Sequence, residues 1–239
     1  MNTYRVKLVK KLSIARDTMA FYFSKPPNFQ FKPGQYLNMT LINPKYTDDE
    51  GNKRFFTIAS APYEENIIIE TRLRNTAFKK NLRTMQIGSI VEIKGPFGSF
   101  ILHNDPQIPA VILSGGIGIT PFRSIIYQAS YDKLDHKIYL FYSNRTPKDA
   151  PNLENLEDLE DKNSNFKLIP TMTKLKPSDI WNGERGYINK DMLAKYLDDL
   201  GKAIYYVAGP PNMVSGLLEI LEDIGINSDN IRSEDFTGY

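Results

Sequence analysis

The chain has 239 residues, 41% of them apolar and 24% charged, with a formal net charge of +2; this suits a globular protein with room for two moderate cores. So small a charge, with no long basic run, argues against nucleic acid as a partner. No apolar stretch reaches membrane length. Zero cysteines exclude disulfides, thiolate catalysis, iron–sulfur clusters and cysteine-type zinc sites within these residues. The start, MNTYRVKLVKKLS, alternates like a strand and lacks the apolar centre of a signal peptide, so a cytoplasmic setting is the default expectation. His103 and His136 lie far apart with no carboxylate at metal-ligand spacing. They read as surface or loop residues, and no metal site is expected.

From the start of the chain, YRVKLVKKL, TMAFYFS, QYLNMTLI, RFFTIAS, NIIIETRLR and SIVEIKG read as six short strands rich in β-branched and aromatic residues. Turn residues separate them, among them Pro26-Pro27, Pro33-Gly34, Gly51-Asn52 and Gly88. One helix interrupts, about Ala77 to Met85, with Thr76 as its N-cap. Such a pattern predicts a small antiparallel barrel over residues 1–104. Beyond GPFGSF and HNDPQIP the period changes, and strands alternate with helices over residues 105–239. AVILS precedes a helix from Pro121, KIYLFYS precedes PNLENLEDLED, FKLIPTM precedes NKDMLAKYLDDL, AIYYVAG precedes a helix from Pro211 to Ile224, and IRSEDF comes last. This predicts an α/β doubly wound parallel sheet of five strands.

Two glycine-rich turns fall where such a sheet binds ligands, at the carboxyl ends of its first and fourth strands. In LSGGIGITPFRSII, Gly115, Gly116 and Gly118 let backbone approach a bulky anion. Thr120 reads as an N-cap and Pro121 as the first helical residue, aiming a helix N-terminus at that anion. The motif is neither a P-loop nor G-x-G-x-x-G, and a glycine cluster can also simply turn the chain. AGPPNM, with Gly209, Pro210, Pro211 and Met213, repeats the arrangement and favours a dinucleotide lying across both loops. At the end of the second strand stand Ser143, Asn144 and Arg145, with no acid before Asp149; hydroxyls and arginine at this place favour the 2′-phosphate of NADP over NAD.

In order and spacing RFFTIAS, GPFGSF, GGIGITP, YSNR, AGPPNM and the terminal EDFTGY resemble the ferredoxin–NADP reductase family of flavoproteins over nearly the whole chain. The resemblance implies FAD held mainly by the barrel through an R-x-Y-S/T signature, here Arg54, Phe55, Phe56 and Thr57. Arg54 would pair with flavin phosphate, Phe56 would lie flat on the isoalloxazine, and the Thr57 hydroxyl would reach the ring nitrogen that takes hydride, with Glu234 a second candidate. The phosphate groups would also meet Thr76, Ala77 and Phe78 at the helix start, with Arg72 or Arg74 beside them and Arg72 preferred. Tyr239 would cover the flavin face that the nicotinamide must reach. Two departures stand out: Phe56 replaces a tyrosine, and Ala208 replaces a cysteine that many members carry. The implied activity is hydride transfer between NAD(P)H and FAD, then electron transfer to a separate carrier such as ferredoxin or flavodoxin. Lys79, Lys80 and Arg83 on one helix face are candidates to meet an acidic carrier. A reductase of free flavins, the reductase component of an oxygenase, and a non-catalytic nucleotide-binding scaffold are the alternatives.

Overall fold

The computed structural model describes residues 2–236. Two compact units make up the chain: one holds the residues up to Ile101 together with Thr120–Gln128, the other holds Leu102–Ile119 and the chain from Ala129 onward.

The first unit is built on β1 (Thr3–Ala15), β2 (Thr18–Ser24), β3 (Tyr36–Leu41), β4 (Lys53–Thr57), β5 (Asn66–Arg72), α1 (Ala77–Thr84) and β6 (Ile90–Phe97). Its strands form one antiparallel sheet in the order β4-β3-β6-β1-β2-β5. Just past β4, the Ala59 N–H donates to the Ile68 carbonyl of β5 (2.9 Å), so the two edge strands meet and the sheet closes. Strand alternation delivers Val6, Leu8, Phe21, Phe23, Leu37, Met39, Phe56, Ile67, Ile69, Val91 and Ile93 to the interior. Phe78 and Leu82, four residues apart on α1, plug that core. Thr76 caps the start of α1 as its sequence predicts, accepting from the Lys79 N–H, and Lys11 Nζ closes the other end by donating to the carbonyls of Arg83 (2.9 Å) and Met85 (2.8 Å).

On β5 the burial runs unbroken from Ile67 to Thr71, because Ile68 and Glu70 face outward yet are also covered. Within the same unit, Arg123 donates twice to the Glu64 carboxylate (2.7 and 3.0 Å) and once to the Ala59 carbonyl (2.7 Å), with Glu70 at 3.6 Å. The guanidinium also lies 4.4 Å from the Tyr127 ring centre. Paired with two carboxylates, Arg123 keeps its proton despite burial, which holds its pKa above the ordinary arginine value.

The second unit is a parallel sheet of β7 (Ala110–Gly115), β8 (Ile138–Asn144), β9 (Phe166–Met172), β10 (Glu184–Arg185), β11 (Ile204–Gly209) and β12 (Ile231–Asp235), ordered β10-β9-β8-β7-β11-β12. The expected five strands are present, and a two-residue sixth, β10, lies inside the connection TMTKLKPSDIWNGERGYI. Beside it the edge of β9 is blocked chemically: the Leu168 N–H is taken by Glu160 (3.2 Å), and Pro170 has no N–H to offer. The helices are α2 (Ile119–Tyr131), whose middle belongs to the first unit, α3 (Leu153–Glu160), α4 (Lys190–Tyr196) and α5 (Pro211–Asp223). Strand order reverses between β7 and β11, the place where a doubly wound sheet opens a crevice.

His103 and His136 are buried, at 8% and 6% exposure, and are not the surface residues their isolation in sequence suggests. The Tyr206 hydroxyl lies 3.0 Å from His103 Nδ1 and accepts from the His103 backbone N–H (2.8 Å) and from Arg232 (3.0 Å). His103 Nε2 meets the Ile108 carbonyl (2.8 Å) and His136 Nε2 the His103 carbonyl (2.9 Å). With Nδ1 accepting and Nε2 donating, the network is satisfied only by a neutral His103, whose pKa burial lowers.

Candidate functional site

In the barrel unit the candidate residues gather on β4 and at the start of α1. Alternation along β4 buries Phe56 at 8% exposure and leaves Phe55 at 66%, edge-on to Tyr36 at 5.6 Å. Thr57 is buried and pairs with Tyr36 across the ladder. Arg54 Nη1 is tied to backbone, donating to the carbonyls of Glu50 (2.8 Å), Gly51 (3.2 Å) and Lys53 (2.6 Å). Its Nη2 donates to the Glu50 carboxylate (2.5 Å), with Asp48 at 3.8 Å. The guanidinium sits over the Phe78 ring at 5.2 Å.

Lys79 departs from its expected place on a solvent face with Lys80 and Arg83. It turns inward over the Phe56 ring (4.8 Å) and donates to the Thr71 hydroxyl. Burial first, then repulsion from Arg54 and Arg74, push its pKa down to about 8. Arg74 therefore joins this cluster electrostatically. The helical spacing held a signal for Lys79: Phe78, Asn81 and Leu82 are buried, which puts residue 79 on the flank of the buried stripe.

In the second unit, β7 ends at Gly115 and a 3₁₀ turn, Gly116–Gly118, leads into α2 at Ile119. Thr120 is therefore not the N-cap and Pro121 not the first helical residue. Pro121 still sits within the first turn, where a missing N–H costs no hydrogen bond. Gly116 has φ +55°, a left-handed conformation that glycine adopts without strain. The other glycines serve close approach. A Cβ on Gly118 would stand 2.4 Å from the Ala208 carbonyl oxygen, and one on Gly115 would stand 2.3 Å from Met213 Sδ. The two glycine loops thus lie against each other, with the Tyr142 hydroxyl reaching the Gly116 carbonyl (3.1 Å) from below. Sequence reasoning named Met213 and missed Tyr142, whose place inside an apolar strand gave no sign of its hydroxyl's target.

Ser143 is half-buried and Arg145 exposed, while Asn144 is buried with both side-chain amide atoms lacking a hydrogen-bond partner, as is Ser114 Oγ. Pro210 caps α5 and Pro211 opens it. Glu234 on β12 stands opposite Ala208 in the ladder, and burial pushes its carboxyl up to about 7. Tyr239, with Thr237 and Gly238, lies outside the described residues.

These surroundings fit the implied groups. Crowded cations at a capped helix start suit a phosphate-bearing flavin on the barrel. The unpartnered polar atoms of Ser114 and Asn144, at the carboxyl ends of β7 and β8, suit a polar nucleotide. Among the described residues no helix is long and apolar enough to cross a membrane.

Residues 5–101 match the oxidoreductase FAD-binding domain family and residues 112–218 the oxidoreductase NAD-binding domain family. The chain is 29% identical over 205 residues to a component of the Na(+)-translocating NADH-quinone reductase of Idiomarina loihiensis. That alignment covers 80% of this chain and 50% of the relative, so the chain spans about half the relative's length. It is 27% identical over 234 residues to the phenol hydroxylase P5 protein of Acinetobacter pittii, covering 95% of this chain and 63% of that one. Its fold matches a ferredoxin NADP+ reductase from Neisseria gonorrhoeae, solved with bound FAD and NADP, at a TM-score of 0.79 and 20% identity over 98% of each chain. With an FAD-binding barrel followed by an NAD-binding α/β unit, the chain belongs to the ferredoxin–NADP reductase-like family of FAD- and NAD(P)-binding oxidoreductases.

Proposed function

We propose that this protein takes hydride from NADPH onto FAD and passes the electrons to a separate carrier. The observation that carries the reading is the cation cluster of Arg54, Arg74 and Lys79 at the start of α1, beside the Phe56 and Thr57 of β4. Flavin and nicotinamide supply the redox chemistry when bound, so the protein needs no nucleophile or metal of its own. The chain's task is to bind and orient. Arg54 and the Thr76–Phe78 helix start hold phosphate, Thr57 offers a hydroxyl, and Phe56, buried beneath Lys79, backs the site from the barrel core. In the nucleotide unit the Gly115–Gly118 turn and the Gly209–Met213 turn hold the dinucleotide's backbone. Ser143, Asn144 and Arg145 serve the 2′-phosphate. Glu234, with a pKa of about 7, is able to hold or release a proton near neutrality. Exposed Lys80 and Arg83 suit an acidic carrier of the ferredoxin or flavodoxin kind.

A second reading, the reductase component of an oxygenase, draws support from the 95% of this chain that aligns with the phenol hydroxylase P5 protein. Both readings are tested by anaerobic titration of the FAD-loaded protein, with loss of flavin absorbance expected on adding NADPH. Arg145→Ala is expected to raise the NADPH requirement and leave the NADH requirement nearly unchanged, since only NADPH carries the phosphate. A flavin that stays oxidised with both nucleotides refutes the reductase reading, and equal effects of Arg145→Ala on both refute the NADP assignment.

A further inference from the structure

We propose that Asp48 and Glu50 compete from within the chain for the flavin phosphate site, so that the loop between β3 and β4 sets how tightly phosphate-bearing flavins are held. The inference rests on the reading of the barrel as the flavin site. The loop is anchored at its base and across α1. Asn52 Nδ2 donates to the Leu41 carbonyl (2.8 Å); the Tyr46 N–H donates to Asn81 Oδ1 (3.1 Å), and Asn81 Nδ2 donates back to the Tyr46 carbonyl (2.7 Å). A turn closed by Gly51 N–H to the Asp48 carbonyl (3.0 Å), with Gly51 at φ +73°, brings the acidic tip onto the cations.

There the carboxylates take the groups that a phosphate needs. Asp48 Oδ2 accepts from the Ala77 N–H (2.9 Å), at the positive end of a helix that has no acid in its own first turn. Glu50 accepts from Arg54 Nη2 (2.5 Å). The two nitrogens of Arg54 thus have separate duties. Nη1 binds the backbone carbonyls of Glu50, Gly51 and Lys53, so the turn itself holds the guanidinium, and Nη2 faces the Glu50 carboxylate as an exchangeable anion. The Glu50 side chain is 66% exposed, so its carboxylate can swing into solvent while the carbonyls of the turn still hold Arg54. Two carboxylates at this spot make an incoming phosphate exchange ion pairs, gaining less than it would from free cations. A flavin without phosphate meets no such competition. The loop therefore discriminates among flavin forms, and occupation of the phosphate site displaces its two carboxylates.

The test is calorimetric titration of the wild-type protein and of Asp48→Asn/Glu50→Gln with FAD and with riboflavin, which has no phosphate. FAD is expected to bind the variant roughly ten- to a hundredfold more tightly, the range that one charge-assisted hydrogen bond spans, with riboflavin unchanged. Unchanged or weaker FAD binding overturns the proposal, since the carboxylates would then position Arg54 and not compete. Equal tightening of both ligands overturns it as well, because the loop would then act by bulk. Should the double variant fail to fold, the single variant Glu50→Gln decides: FAD is expected to bind it more tightly with riboflavin unchanged, and unchanged or weaker FAD binding overturns the proposal. If neither flavin binds either protein, the flavin reading falls and this inference with it. Riboflavin binding with no FAD-specific change refutes the inference alone.

Discussion

Lys79 turns the barrel cluster into a proton-linked site. Its pKa of about 8 is a direct consequence of burial beside Arg54 and Arg74, and an anion bound there favours the charged ammonium again. If a flavin phosphate returns Lys79 to its ordinary value of about 10.5, binding draws in protons by an amount that pH sets. The protonated fraction rises from ~0.9 to ~1 at pH 7, from ~0.5 to ~1 at pH 8, and from ~0.1 to nearly 1 at pH 9. Uptake on FAD binding should therefore grow from about 0.1 through about 0.5 to about 0.9 proton per site across those three values. Calorimetry in buffers of different ionisation enthalpy measures it. Riboflavin should show no such uptake, and Lys79→Gln should remove it from FAD. Uptake that ignores pH, or that survives Lys79→Gln, refutes the placing of phosphate beside Lys79.

The same lysine affects stability without any ligand. With the folded pKa depressed, the unfolded chain binds more protons between about pH 8 and 10.5, so stability rises with pH across that window in wild type and not in Lys79→Gln. His103 has the same sign in a lower window. Its depressed pKa makes urea resistance fall as pH drops below the ordinary histidine value of about 6.5, and His103→Asn should flatten that dependence. Gly118→Ala places a methyl against backbone at 2.4 Å and should cost about 1–3 kcal/mol in urea denaturation, the range for overpacking. Gly115→Ala meets a flexible thioether, so Met213→Ala should recover most of its loss; a double variant no better than the single would refute the packing account.

Much of this fold was legible because each unit has a single strong period. Phe21 and Phe23, or Ile67 and Ile69, alternate as barrel strands must. A capping threonine before Ala77 and Gly88 beyond Met85 marked α1 within a residue or two. The buried network was not legible, because it joins residues remote in sequence. Nothing near His103 announces Tyr206, and nothing near Arg54 announces that Asp48 reaches across to Ala77. Thr120 misled for a local reason: a Ser/Thr before proline looks like a cap, yet glycines ahead of it wind into a 3₁₀ turn and start the helix two residues earlier, at Ile119. Lys79 misled because charge outweighed position in the reading. Its place beside Phe78 and Leu82 on the helix wheel was the better guide.

The glycines of the nucleotide unit show why ligand cradle and mere turn are poor alternatives. Gly118 is required by the Ala208 carbonyl and Gly115 is crowded by Met213, so both answer to the neighbouring loop before any ligand is considered. Of the three glycines in this turn, Gly116, at φ +55°, is the one required by its own backbone. Packing two loops this closely brings the start of α2 and the start of α5 together at the strand reversal, where β7 and β11 run side by side. A single helix start offers a weak anion site, whereas two held together by backbone contact offer a fixed one, since neither loop can move without opening the other. On the proposed reading, the dinucleotide site is specified by loop–loop packing first, and the helix starts it offers follow from that packing. This is why Gly118→Ala, a change that removes no polar group, should weaken nucleotide binding together with stability.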